Sequence, residues 1–220
     1  MQHDTLLSAP PALAELHRAA PVALFLDFDG TLVDLAPTPD SIAIPQQLAA
    51  RLTLLAERLE GRLALVSGRA IADLERHLGV LPLARAGSHG SHVLGADGGA
   101  LAPLPSGLPE PAAAALRAYA DRCALLLELK PHGAALHFRD RPEQGPAALA
   151  EAAAVARAHG LELKHGKCMV ELVQPGTSKR RAVEAFMQAP PFAGARPVFV
   201  GDDITDEDGF AAAGALGGFG

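Results

Sequence analysis

The stretch VALFLDFDGTLVD, residues 22–34, decides the fold. Its first residues are continuously apolar, the pattern of a strand buried on both faces of a parallel sheet. The run ends in Asp27-Phe28-Asp29, with Gly30 and Thr31 directly behind. In extended backbone, side chains two positions apart point the same way, so Asp27 and Asp29 aim at one point while Phe28 turns into the core. Gly30 permits the sharp exit such a site needs. Two carboxylates this close both stay ionised only beside a cation, or else one is protonated. A divalent metal with a phosphate ester meets that condition. One carboxylate attacks phosphorus; the second protonates the leaving oxygen and then deprotonates the attacking water. An acidic turn after a strand explains DxDG alone equally well, because Asp-Gly is common turn chemistry.

Working outward, strands and helices alternate. PQQLAARLTLLAERLEG spaces Leu48, Leu52, Leu55 and Leu59 as one helical face, with Pro45 near its start and Gly61 as a stop. RLALVSGR is a second buried strand, ADLERHLG a helix, and ARAGSHG a short third strand ending in a glycine-bracketed loop. This grammar predicts an α/β fold: a Rossmann-like, doubly wound parallel sheet. Gly- and Pro-rich linker follows near Pro103 to Pro109, and then helix, strand, turn, strand occurs twice over, up to KCMVELVQ. That pattern predicts a small antiparallel sheet backed by two helices. After PGTSK the α/β alternation resumes with SKRRAVEAFMQA and RPVFVGDD. The expected division is a core of residues 1–105 and 175–220, with an α/β cap inserted at 106–174.

Ligands of open α/β sheets bind at the carboxyl ends of strands, where this chain collects acids and small polar residues. Ser67 and Thr31 can donate hydroxyl hydrogen bonds to a phosphate oxygen, although each also suits a turn or cap. Lys179 opens a helix, where its charge and the backbone N–H groups favour an anion. The chain has only four lysines, Lys130, Lys164, Lys167 and Lys179, against fifteen arginines, so each lysine is a candidate for work arginine cannot do. In PVFVGDDITDEDGF a buried strand ends in Gly201-Asp202-Asp203, with Asp206 one turn on, an oxygen-rich set of the kind Mg2+ takes. A capping box of Thr205 with Asp208 explains Asp206, Glu207 and Asp208, but not Asp202 or Asp203. HGSH is too short for a helical zinc pair and has no cysteine beside it.

Composition narrows the classes. A net charge of −6 gives a mildly acidic surface, which argues against nucleic acid or an anionic membrane as partner, since both demand a basic face. Cys123 and Cys168 are far apart in sequence and predict free thiols. The N-terminus has an acid where a signal peptide wants bases, and no apolar run is long enough to span a bilayer. A cytoplasmic monomer is the expectation.

In order along the chain, DFDGTL, Ser67, Lys179 and GDDITDE resemble the four motifs of the haloacid dehalogenase superfamily. More narrowly, SGR, GSHG, ELKPHGAALHFR, GKCMVELVQPGTSK and GDDITDEDGF look like the trehalose-6-phosphate phosphatases. The resemblance implies a capped core, a sugar phosphate held between cap and core, and one Mg2+. It implies hydrolysis of trehalose 6-phosphate, a step of trehalose biosynthesis, through an aspartyl-phosphate, with Asp27 as nucleophile and Asp29 as acid/base. The metal would be held by the Asp27 carboxylate, the Asp29 backbone carbonyl and Asp202, with Asp203 and Asp206 in support. Thr31, Ser67 and Lys179 would hold the phosphoryl group. Arg69, His89, Gly90, Glu128, Lys130, Arg139, Lys167 and Glu171 would reach the sugar. The strand period agrees, since Glu128 and Lys130 share one face, as do Lys167 and Glu171, although surface ion pairs explain the same pattern. The chain departs from the family in carrying Arg180 where a glycine is usual. Members also continue past GALGGFG through another strand and helix, which predicts an exposed sheet edge. Two rivals stand beside this expectation: a capped phosphatase for sucrose or mannosylglycerate phosphates, and a phosphosugar sensor without turnover.

Overall fold

The computed structural model describes residues 20–36, 41–104, 106–166 and 168–220. Its elements run β1 (Val22–Leu26), α1 (Leu48–Arg58), β2 (Leu63–Val66), α2 (Ile71–Leu78), β3 (Ala84–Gly87), β4 (His92–Leu94), α3 (Glu110–Cys123), β5 (Leu126–Lys130) and β6 (Gly133–His137). They continue α4 (Gly145–His159), β7 (Glu162–Gly166), β8 (Met169–Val173), α5 (Lys179–Met187), β9 (Arg196–Val200) and α6 (Glu207–Ala215).

The larger sheet has the order β4-β3-β2-β1-β9, parallel throughout except for β4. Both faces are covered, which is why its strands read as unbroken apolar runs. Ala23, Phe25, Ala64 and Val66 pack on one side with Ala182, Val183 and Phe186 of α5 and with Ala212 and Ala213 of α6. Leu26, Leu63 and Leu65 point the other way, onto Leu48 and Leu52 of α1 and Leu74 and Leu78 of α2. Phe25, Phe186 and Phe192 stack with centroids 5.2–5.8 Å apart, and truncating such a ring costs about 3–5 kcal/mol. From β1 the chain builds outward through β2 and β3, then returns to add β9 on the opposite side of β1. The carboxyl ends of β1 and β9 therefore flank a topological switch point, where crevices form in open sheets.

The smaller sheet is antiparallel, in the order β5-β6-β8-β7. Leu116 and Ala120 of α3 and Ala152 and Val155 of α4 cover one of its faces, packing on Ala134, Leu136, Val170 and Leu172. Its other face carries the alternate residues, among them Glu128, Lys130, Lys164 and Glu171. The two chain connections to this unit touch, because Gln174 Nε2 donates to the Gly107 carbonyl at 2.9 Å.

One element was not expected. Two residues after the GSHG turn the chain returns as β4, antiparallel to β3, with His92 opposite Gly87. The turn itself holds Ser88 and His89 at φ of 47° and 53°, a left-handed conformation costly for residues with a Cβ. Stitching to the next segment holds it in place. Ser91 Oγ donates to Thr177 Oγ1 at 3.2 Å, and Arg181 donates to the Pro103 carbonyl at 2.8 Å. Gly90 packs so closely on the Ser178 carbonyl that a Cβ there would clash. Among the described residues, no helix is long and apolar enough to cross a membrane.

Candidate active site

The strand β1 delivers Asp27 to the switch point, 4% exposed, with its N–H donating to the Val200 carbonyl of β9 at 2.9 Å. Lys179, in the first turn of α5 and 3% exposed, donates to Asp27 Oδ1 and to Asp206 Oδ1, each at 2.6 Å. Ser178 precedes it as the helix N-cap, accepting from the Arg181 N–H. Asp27, Asp202 and Asp206 each place a carboxylate oxygen within 4.8 Å of the others. Burial pushes the Asp27 carboxyl up to about 6; Lys179 opposes that rise and the Asp206 charge adds to it. Three acids against one lysine leave excess negative charge in a partly buried site, and all the donors are hard oxygens. That is the donor set a small divalent cation takes.

Asp206 is fully buried and already saturated. Its Oδ2 accepts the Asp202 and Asp203 N–H groups at 3.1 and 3.0 Å while Oδ1 takes Lys179. It replaces the Thr205–Asp208 capping box. The box found is Asp203 with Asp206, around a 3-10 turn of Ile204–Asp206. Asp203 caps that turn, accepting from the Ile204 N–H at 2.7 Å, and it is not one of the clustered acids. Thr31 Oγ1 donates to Asp202 Oδ1 at 3.2 Å. Gly30, at φ 85°, lies under the Asp202 carboxylate, where a Cβ would overlap it.

Asp29 is placed differently from Asp27. Phe28 is fully buried between them, as the period requires, but the Asp29 carboxylate is gripped by Arg69. Arg69 Nε donates to Oδ2 at 2.7 Å and Nη2 to Oδ1 at 2.8 Å, while Nη1 holds Asp73 at 2.6 Å. Arg69 thus engages the expected acid/base in a bidentate fork, the geometry that guanidinium supplies and lysine cannot. Ser67 is fully buried, and its Oγ accepts the Arg69 N–H at 3.1 Å.

Three of the residues expected at the sugar, His89, Lys130 and Glu171, converge between the two sheets. Glu171, 1% exposed, lies 3.1 Å from Lys130 Nζ and 3.3 Å from His89 Nε2, so it ties β5 and β8 to the GSHG turn. The His89 ring lies over Gly68, where a Cβ would meet it at 2.6 Å. Glu128 pairs with His137 at 3.0 Å on the same sheet face. Arg139 donates to the Ala36 carbonyl at 3.4 Å, and Lys167 lies outside the described residues. Arg180, the departure from the family pattern, is turned away in an exposed pair with Glu184. A cavity of about 230 Å³ opens between the sheets, with Lys164 and His165 on one side and Lys179, Thr205 and Asp208 on the other. Sequence reasoning missed His165, Thr205 and Asp208 here. For Lys164, the scarcity of lysine was the available signal. His132 meets His92 edge-on with ring centroids 5.9 Å apart.

Glu171 gives a testable pH signature. Burial pushes its carboxyl up, but His89 and Lys130 more than offset that and bring it from 4.5 down to about 2. A depressed acid contributes stability that is fully present above the unfolded value and is lost as pH falls through the folded one. The difference in unfolding midpoint between wild type and Glu171→Gln should therefore narrow as pH falls from 4.5 toward 2. A difference that held constant across that range would show that the ion pairs contribute none of it.

Residues 25–216 match the family model described as trehalose-phosphatase. The trehalose-6-phosphate phosphatase of Escherichia coli is 37% identical over 91% of this chain and 76% of its own length. A probable trehalose-phosphate phosphatase of Sinorhizobium fredii is 38% identical over 89% of this chain and 75% of its own. Among solved structures, a trehalose-6-phosphate phosphatase related protein superposes with TM-score 0.67 at 25% identity, over 88% of this chain and 83% of that one. A haloacid dehalogenase-like hydrolase from Bacteroides thetaiotaomicron shares the fold, at TM-score 0.64 and 16% identity, over 88% of this chain and 85% of that one. Acids at the switch point, a lysine between them and a match running nearly end to end agree, and the chain belongs to the trehalose-phosphatase family, on a haloacid dehalogenase-like fold.

Proposed function

We propose that this protein is a Mg2+-dependent phosphatase that converts trehalose 6-phosphate into trehalose and phosphate, a step of trehalose biosynthesis carried out in the cytoplasm by a monomer. The observation that carries the reading is Lys179 held 2.6 Å from a buried strand-end aspartate, with Asp202 and Asp206 beside it. A pure binder has no use for a nucleophile there. Asp27, Asp202 and the Asp29 backbone carbonyl would hold the metal, with Asp203 and Asp206 supporting it. Bound Mg2+ would neutralise charge on the phosphoryl oxygens and on the acids around them.

The chain's own residues divide the remaining work. Asp27 attacks phosphorus and forms an aspartyl-phosphate, while Lys179, Ser67 and Thr31 hold the equatorial oxygens. Asp29 gives a proton to the departing sugar oxygen, then takes one from the water that cleaves the acyl phosphate. In the Arg69 fork both its oxygens accept, so Asp29 takes up either role once that fork opens. Residues 106–174 act as a cap that closes on the substrate, hinged at the touching connections around Gly107 and Gln174. Arg69, His89, Gly90, Glu128, Lys130, Arg139, Lys167 and Glu171 meet sugar hydroxyls with donors and acceptors.

Phosphate release from a substrate panel tests this. The expected result is highest kcat/KM on trehalose 6-phosphate, activity falling to background in EDTA, and recovery on adding Mg2+. Stronger turnover of sucrose or mannosylglycerate phosphates would move the assignment to that sugar, and undiminished turnover in EDTA would remove the metal.

A further inference from the structure

The strand register places a residue outside the expected set among those that face the substrate. On the helix-free face of the smaller sheet, Glu128 lies opposite Ala135, Ala135 opposite Glu171, and Glu171 opposite Lys164. Side chains in such a row project from the same face. The neighbour Leu163 confirms the phase, because it lies opposite Leu172 and packs on the helix side. Lys164 thus extends the row of Glu128 and Glu171 to the outer strand β7.

From there it faces the core. Lys164 Nζ is 3.9 Å from Asp208 Oδ2 on α6, and both line the cavity that also reaches Lys179. At that separation the pair is longer than a hydrogen bond and partly open to solvent, so each group keeps donors or acceptors to spare. The group that satisfies both is a hydroxyl, which accepts from the ammonium and donates to the carboxylate. An anionic ligand would meet repulsion from Asp208, and a cationic one from Lys164.

We propose that Lys164 and Asp208 are specificity-determining residues for the neutral sugar portion of the substrate, taking one hydroxyl between cap and core at the end of the cavity away from the phosphoryl site. This rests on the phosphatase reading above and deepens it. No bond is made or broken by the pair; it orients the sugar.

The test compares two substrates in wild type, Lys164→Met, Lys164→Gln and a Lys164→Met/Asp208→Ala double variant. Trehalose 6-phosphate needs the pair, whereas p-nitrophenyl phosphate reaches only the Asp27–Lys179 end. For Lys164→Met, KM for trehalose 6-phosphate should rise about tenfold, as expected for a lost charged hydrogen bond, with kcat within about twofold. Kinetics on p-nitrophenyl phosphate should be unchanged, and Lys164→Gln, which keeps a donor, should recover part of the loss. The double variant should cost less than the sum of its singles. An unchanged KM, or an equal fall on both substrates, overturns the proposal. Should wild type turn over another sugar phosphate in preference, the phosphatase reading for trehalose fails by itself. The same variant-to-wild-type ratio on that sugar then decides the role of Lys164.

Discussion

Replacing Asp27 by asparagine is expected to lower kcat by about four orders of magnitude or more, because the amide matches the shape of the carboxylate but cannot attack phosphorus. The fold should survive. Asp27 is 4% exposed, and burial has pushed its carboxyl up to about 6, so above that pH its ionised form is the costly one. A raised acid contributes stability below its unfolded value and loses it as pH rises through the folded one. Metal-free Asp27→Asn should therefore melt no lower than metal-free wild type at neutral pH. Added Mg2+ should raise the wild-type melting temperature more than that of the variant, since the variant has lost a ligand charge. Thermal melts with EDTA and with Mg2+, beside a phosphate-release assay, check both halves. Retained turnover would remove Asp27 as nucleophile.

Lys179→Met should produce the largest loss of stability. Lys179 is 3% exposed and bonds Asp27 and Asp206 at 2.6 Å each, so its removal leaves two buried carboxylates facing one another with no cation. Stranding buried charge in this way costs about 3–5 kcal/mol. For a chain of this size, that corresponds to a fall of about 10 °C in melting temperature. Activity should vanish as well, because the phosphoryl oxygens lose their cation. Acidifying the metal-free variant to pH 5 should restore part of the stability by protonating one carboxylate, and Mg2+ should do so at neutral pH. A variant that melts with wild type would mean the lysine is not the counter-charge its geometry describes.

Much of this was legible in the chain. Continuous apolar strands ending in acids mark a sheet covered on both faces, and they put Asp27 and Asp202 at strand carboxyl ends; the pairing of β1 with β9 makes those ends neighbours. Doubling of helix, strand, turn, strand marks the smaller sheet. What escaped depends on contacts between distant segments. β4 is three residues long and follows Ser88 and His89 in left-handed backbone, a conformation that no local propensity favours. Arg69 reads as a residue for the sugar, but its guanidinium is engaged by Asp29, forty positions away, and by Asp73. Asp206 looks like one of several acids opening a helix; only the approach of α5 buries it against Lys179. The row through Lys164 follows from the period of two plus the hairpin register, and the register was the missing part.

The reacting acids and the polar row hang on frameworks with separate apolar interiors, joined by the strands of chain that meet where Gln174 bonds Gly107. Drift in one interior need not disturb the other. A chimaera carrying residues 106–174 from a relative with a different sugar preference should inherit that taste in substrates, while the chemistry at phosphorus stays with the host.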